Sequence, residues 1–236
     1  MKKHSIVSTL GATNQVNTWL GRYRANIIRD SMIGWYRGDN VVLNGSDVST
    51  WPDNSPKGYD LVQATPALQP AYVTGVLNNQ PVLRFNAAEW MRVIYGSTFT
   101  APFTIFIVAK CTATSLAILI DSVSNYSYIY ILPSVTRLAI GDFVKELRDN
   151  TSTISTNFIT SKIIANGTSS AIYEDGVSKI TGDAGTISYN GLTLGAFNTL
   201  SAFFKGDIAE VIIYNELLSA AFTVTVENYL HKKYFG

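Results

Sequence analysis

From Trp35 onward the sequence is cut into short extended segments, rich in β-branched and aromatic residues and closed by Gly, Asn or Asp. "VVL" runs into the turn pair Asn44-Gly45, "AYVTGVL" into Asn78-Asn79, and "PVLRF" alternates about Leu83. "FTIFIVAKC" (103–111) is long and apolar enough for a central strand. "LAILID", "YSYIYIL", "RLAIG", "FITSKIIAN", "SAIYEDGV", "SYNGLTLGAF" and "GDIAEVIIYN" continue the pattern. Such spacing predicts an all-β antiparallel sandwich joined by hairpins and longer returns. At 236 residues, 47% hydrophobic and 15% charged, the chain can bury the core this needs, as one large domain or at most two small ones.

Both ends depart from that pattern. Val16, Leu20, Tyr23 and Ile27 recur at helical spacing, with Thr13 or Asn14 as caps. Residues 1–33 therefore read as an arm with one amphipathic helix, whose apolar face must bury against its own domain or a neighbouring subunit. At the other end Phe222, Val226, Tyr229 and Lys233 predict a closing helix. Ser219 suits its N-cap, and Lys232 and Lys233 suit its C-terminal dipole.

Several classes of chemistry have no residues to carry them. A net charge of +1 gives no reason to expect nucleic acid or an anionic membrane as partner. No run approaches the roughly 18 apolar residues of a span, and the lead "MKKHSIVSTLGA" is too short and mixed for a secretory signal. Cys111 reads as a small buried hydrophobe, since the two histidines, His4 and His231, lie near opposite ends. There is no Gly-x-Ser-x-Gly, no His/Cys metal cluster, no Asp-x-Asp-x-Asp-Gly array and no phosphate loop, so no catalytic residue, metal or cofactor is expected. A glycosidase needs two carboxylates about 5–10 Å apart across one cleft. Asp207 and Glu210 stand at odd spacing, which on a regular strand puts them on opposite faces, and Glu174 and Asp175 share the defect.

Two stretches offer binding residues. In "WPDNSPKGYD", Trp51 could stack on a sugar while Asp53 and Asn54 supply oxygens; the simpler reading packs Trp51 beneath a loop that Asp53 and Asn54 cap and the prolines stiffen. In "NYSYIYIL", Tyr126, Tyr128 and Tyr130 fall on one face if Ile129 and Ile131 fill the core, which suits sugar stacking, a protein interface or an ordinary loop-covered sheet. The Asn-x-Ser/Thr sites at Asn44, Asn125, Asn150 and Asn166 read as turn residues.

Taken in order, "IGWYRGDN" (33–40), "VSTWPDNSPKGYDLVQATPALQPAYV" (48–73), "NNQPVLRFN" (78–86), "AIYEDGV" (171–177) and the closing "FKGDIAEVIIYN…VENYLHKKYFG" resemble the concanavalin A-like lectin/glucanase superfamily, in its laminin-G-like branch. Gln80 and Ala220-Ala221-Phe222 depart from the family pattern. The resemblance covers about 34–236 and implies a jelly-roll sandwich with a C-terminal helix, preceded here by the arm. Because domains resembling this one occur on bacteriophage particles, the leading expectation is a non-enzymatic virion protein of the capsid-decorating, head-fibre or tail type. It would assemble in the host cytoplasm, with the arm holding other virion proteins or a second copy, as in a trimer, and the sandwich meeting host-surface glycan. A stand-alone carbohydrate-binding lectin is the second reading, and a degenerate glycoside hydrolase the third.

Overall fold

The computed structural model describes residues 26–133, 137–142, 144–154 and 156–236. Its strands are β1 (Met32–Arg37), β2 (Val42–Asn44), β3 (Asp47–Trp51), β4 (Leu61–Val62), β5 (Ala71–Leu77), β6 (Gln80–Asn86), β7 (Met91–Thr100), β8 (Phe103–Cys111) and β9 (Ala117–Asp121). They continue as β10 (Tyr128–Leu132), β11 (Arg137–Gly141), β12 (Glu146–Asp149), β13 (Ile159–Ala165), β14 (Ser170–Glu174), β15 (Val177–Gly182), β16 (Ser188–Leu194) and β17 (Lys205–Tyr214), followed by helix α1 (Ala220–Tyr234).

The pairings form two antiparallel sheets. In the first, β15, β14, β13, β8 and β17 lie side by side, and the far edge of β17 is shared by β6 and then β1. In the second the order is β12, β11, β10, β9, β16, β7, β4, β3, β2. β5 flanks β6 in the first sheet, and the two sheets are joined by the pair Asp47 with Ala71 and by the bridge of Tyr36 with Asp53. Phe103, Ile105 and Ile107 of the first sheet and Leu119, Ile129, Ile131 and Leu192 of the second meet in one buried cluster. Their outward neighbours form two separate clusters, so the ladder is folded into two facing layers. β8 is apolar on both faces because its outward Phe106 and Val108 lie beneath α1 rather than in water.

Helix α1 begins where the sequence predicts, with the Ser219 side chain accepting from Phe222 N. Lys233, on the helical stripe with Val226 and Tyr229, does more than suit the dipole: its side chain is fully buried, 2.6 Å from Glu210 Oε2. Glu210 Oε1 also accepts from Trp35 Nε1 at 2.6 Å, and Oε2 from the Tyr234 hydroxyl at 2.7 Å and the Tyr229 hydroxyl at 3.3 Å. One expectation is corrected by the way Glu210 reaches the helix. The β17–β8 register slips between Ile208 and Glu210, and this bulge turns Glu210 to the same outer face as Asp207. Both carboxylates are engaged, Asp207 by Arg84 and Glu210 by the helix and Trp35.

Of the arm residues, Val16, Leu20 and Tyr23 lie outside the described residues. Ile27 is fully buried in the cluster under α1, and its carbonyl accepts from the Tyr214 hydroxyl at 2.8 Å, so this position packs on its own domain. Arg29 beside it stacks on Phe222 and pairs with Glu216. Cys111 is buried in the core, as expected, and burial pushes its thiol up to about 11.

A buried ion pair is costly to break because the surviving charge loses its partner. Lys233→Met and Glu210→Gln should each destabilise the fold by about 3–5 kcal/mol in urea unfolding, with the double variant losing less than the sum. A loss below about 1 kcal/mol for either single change would show that the pair does not hold the helix.

Candidate functional site

The loop that opens the family resemblance is consumed by the fold. Trp51 is fully buried, and its indole N–H donates to Arg37 O at 2.8 Å. Asp53 Oδ1 accepts from the amides of Trp35 and Ser55, each at 2.8 Å, and Oδ2 from the Ser55 hydroxyl at 2.6 Å and the Tyr59 amide at 2.8 Å. Asn54 donates to Trp35 O and Pro52 O and accepts from Asn40. These bonds tie the loop to β1. Trp51 offers no face to a ligand, and Asp53 has spent four acceptor positions, so the loop-closing reading is the one its geometry describes.

The tyrosine stretch divides. Ile129 and Ile131 point into the core, and Tyr128 and Tyr130 point outward, as the alternation requires. Tyr126 does not join them: it precedes β10, at φ 49°, and the left-handed backbone breaks the strand period.

What surrounds the two tyrosines follows from register. Tyr130 lies opposite Ile118 on one side and Ala139 on the other, and Ala139 lies opposite Arg148. One row along, Tyr128 lies between Asp121 and Gly141, and Gly141 opposite Glu146. The small outward residues of β11 leave a trough, across which both phenols reach the next strand. Tyr128 donates to Glu146 Oε1 at 2.9 Å and Tyr130 to Glu146 Oε2 at 3.2 Å. Arg148 Nε donates to the same Oε2 at 2.6 Å. A Cβ on Gly141 would come within 2.7 Å of Glu146 Cγ and 2.3 Å of Lys145 O, so only glycine lets the carboxylate fold over this strand. Phe197 meets Tyr128 edge-on at 5.6 Å and, with Leu116, Ile118 and Leu132, completes an open groove of about 250 Å³.

Electrostatically the groove is balanced. Burial first, then the Glu146 carboxylate, raises the Tyr128 phenol well above its ordinary ionisation range, so it stays a donor at any physiological pH. Glu146 and Arg148 cancel in charge while Oε1 keeps acceptor capacity and Arg148 keeps Nη1 donors. Tyr128 and Tyr130 each keep 6% exposure, so the groove offers ring edges together with Leu116 and Phe197, flanked by a donor and an acceptor, a chemistry that suits a polyhydroxylated ring.

The loop carrying Phe197 is pinned from below. Asn198 N donates to Asp121 Oδ2 at 2.9 Å, and Arg92 Nη2 donates to Asn198 O at 2.7 Å. Asp121 is fully buried, with Oδ1 unpartnered, as is Asn198 Oδ1. Burial pushes the Asp121 carboxyl up to about 6, against the pull of the Asn198 and Ser122 amides and of Arg92.

Sequence reasoning found Tyr128 and Tyr130 but not Glu146, Arg148, Phe197 or the Asp121–Asn198 support. The alternation in "RLAIG" and "KELRD", two small outward residues beside an outward Glu and Arg, was a readable signal. Phe197 comes from a loop and left none.

No protein-family model matches the chain, and no curated protein does. Solved structures do resemble it. Domain 4 of AbnA, a GH43 extracellular arabinanase from Geobacillus stearothermophilus, in complex with arabinotriose, superimposes with a TM-score of 0.58 at 18% identity, over 83% of this chain and 97% of that domain. The ligand binding domain of botulinum neurotoxin serotype D, in complex with N-acetylneuraminic acid, gives 0.60 at 13% identity, over 87% of this chain and 52% of its own. The binding domain of botulinum neurotoxin DC, in complex with rat synaptotagmin II, gives 0.55 at 14%, over 85% and 52%. The chain thus spans nearly all of the arabinanase domain and about half of each toxin domain. At these identities the likeness establishes the β-sandwich fold.

The Asp121 carboxyl titrates at about 6 when folded against an ordinary 3.8, so the folded state holds the extra proton between these values. The cost of the buried charge is therefore full above pH 6 and fades as pH falls toward 4. Asp121→Asn should be more stable than the parent by about 1–3 kcal/mol at pH 7.5, and the gap should close by pH 4.5, in paired urea titrations. A gap independent of pH would mean that the carboxyl titrates alike in the folded and unfolded states and that burial does not raise it.

Proposed function

We propose that this chain is a non-catalytic carbohydrate-binding domain of the jelly-roll, concanavalin A-like type, and that its site is the groove of Tyr128, Tyr130 and Phe197. The observation that carries the reading is the pair of outward tyrosines spanning a trough of small residues to the Glu146–Arg148 clamp. The charge balance of that clamp favours an uncharged sugar ring over an acidic one. Two of the structures similar in fold are sugar-bound, one with arabinotriose and one with N-acetylneuraminic acid, which supports a saccharide as ligand class. A third holds a protein partner, so the groove's own chemistry has to carry the choice.

This promotes the second reading of the sequence over the first. A virion role, an assembly arm and a homo-oligomer find no support among the similar structures, and three of the four arm positions fall outside the described residues. The hydrolase reading gains nothing from Asp207 and Glu210. They share a face, yet each is spent on an ion pair.

A glycan panel probed with the full chain should return neutral oligosaccharides, and calorimetry with the best of them should show Tyr130→Ala and Phe197→Ala each weakening binding about tenfold or more, close to 1.4 kcal/mol. Thermal unfolding of both variants controls for folding. An empty panel, or affinity unchanged in both variants, would overturn the assignment.

A further inference from the structure

A second cavity, of about 330 Å³, lies on the outer face of the opposite sheet, beside the strip covered by α1. Its floor is a row across three strands. Asp207 of β17 pairs in register with Arg84 of β6 on one side and with Lys110 of β8 on the other. Arg84 holds Asp207 through two bonds, Nε to Oδ1 at 2.7 Å and Nη2 to Oδ2 at 2.9 Å. That fork occupies two of the guanidinium's five N–H donors and both carboxylate oxygens. Among the described residues the Lys110 ammonium makes no hydrogen bond or ion pair, because its register neighbour is already taken. Lys205, across from Asn86 on the same face, is a second ammonium with no partner among the described residues. Glu89 does not neutralise them directly, since its carboxylate accepts from the Asn86 and Ala88 amides. Val76 and Phe158 form apolar walls, and Asn86 and Thr112 add hydrogen-bonding side chains at the rim.

We propose that this cavity is a second binding site, selective for a small carboxylate-bearing ligand of the size of an acidic monosaccharide. The carboxylate would lie between Lys110 and the unused N–H groups of Arg84, and the ring against Val76 and Phe158. The excess of cations distinguishes the site from the charge-balanced tyrosine groove. A half-buried, unpaired ammonium gains more from an anion than a surface lysine does, because the apolar walls reduce screening. The volume is at the small end of ligand cavities, which limits the occupant to about one ring.

The test is an amide NMR titration of the full chain with sodium glucuronate, glucose and inorganic phosphate in parallel. Glucuronate should shift amides around 84–86, 110–112 and 206–207 with millimolar affinity that falls as salt rises. Lys110→Met should weaken this at least fivefold, and Lys110→Arg should restore it, which separates lost charge from lost folding. Tyr130→Ala should leave it unchanged, so the outcome is independent of the tyrosine groove. No shift with glucuronate, equal shifts with glucose, or equal affinity in Lys110→Met would overturn the proposal. Phosphate binding as tightly as glucuronate would overturn the sugar-sized ligand and leave a bare anion site.

Discussion

Glu210 is the constraint on which the rest of the first sheet depends. A carboxylate with no exposure to water must find donors, and here they come from two distant parts of the chain, Trp35 of β1 and Tyr229, Lys233 and Tyr234 of α1, while the bulge in β17 aims it at them. Each partner is in turn committed elsewhere. Trp35 packs edge-on against Tyr229 at 6.1 Å, and its own amide anchors Asp53. Asp53 then organises the loop that folds Trp51 into the core. One buried acid therefore connects the opening strand, the loop after β3 and the closing helix. The bulge residue is held as well, since Ala209 O accepts from Gly38 N at 2.8 Å and from the Tyr234 hydroxyl at 3.2 Å.

The two sheets use their outer faces differently. On the first, β8 and β17 present Phe106, Val108 and Ile212, and α1 covers them. On the second, Ile118 is fully buried and Tyr128 and Tyr130 keep only 6% exposure beneath the Phe197 loop, and the groove runs over the edges that remain. The phenols can be buried there because they end on Glu146 rather than on nothing.

Period-two patterning carried most of the architecture. The alternation in "FTIFIVAKC" and "YIYIL" fixes which residues face the core, because a sheet places every second side chain on one face whatever its partners. The closing helix was legible for the same kind of reason, through Ser219 and the spacing of Val226 and Tyr229. Sequence reasoning failed where the period itself breaks. The bulge at Ala209 reverses the face of Glu210, and the left-handed backbone at Tyr126 removes that tyrosine from the ladder. It failed again where the partner is distant. Nothing near Lys233 announces that a strand acid 23 residues earlier will bury it, and nothing near Phe197 announces Tyr128. The Trp51–Asp53–Asn54 loop admitted two readings, the loop-closing one the simpler, because its residue types serve both, and the bonds back to β1 separate them.

The arrangement of the ends has a consequence for presentation. Ile27 and α1 both pack on the outer face of the first sheet, and Lys233 lies 3.3 Å from Asp39 just after β1, so the described residues begin and end on the same side. The tyrosine groove opens on the far side, beyond the core. Any polypeptide joined after α1 therefore departs from the back of the domain. Tethering to a larger protein or to a surface would orient the groove outward, toward whatever the tether's bearer encounters, with no rearrangement of the fold.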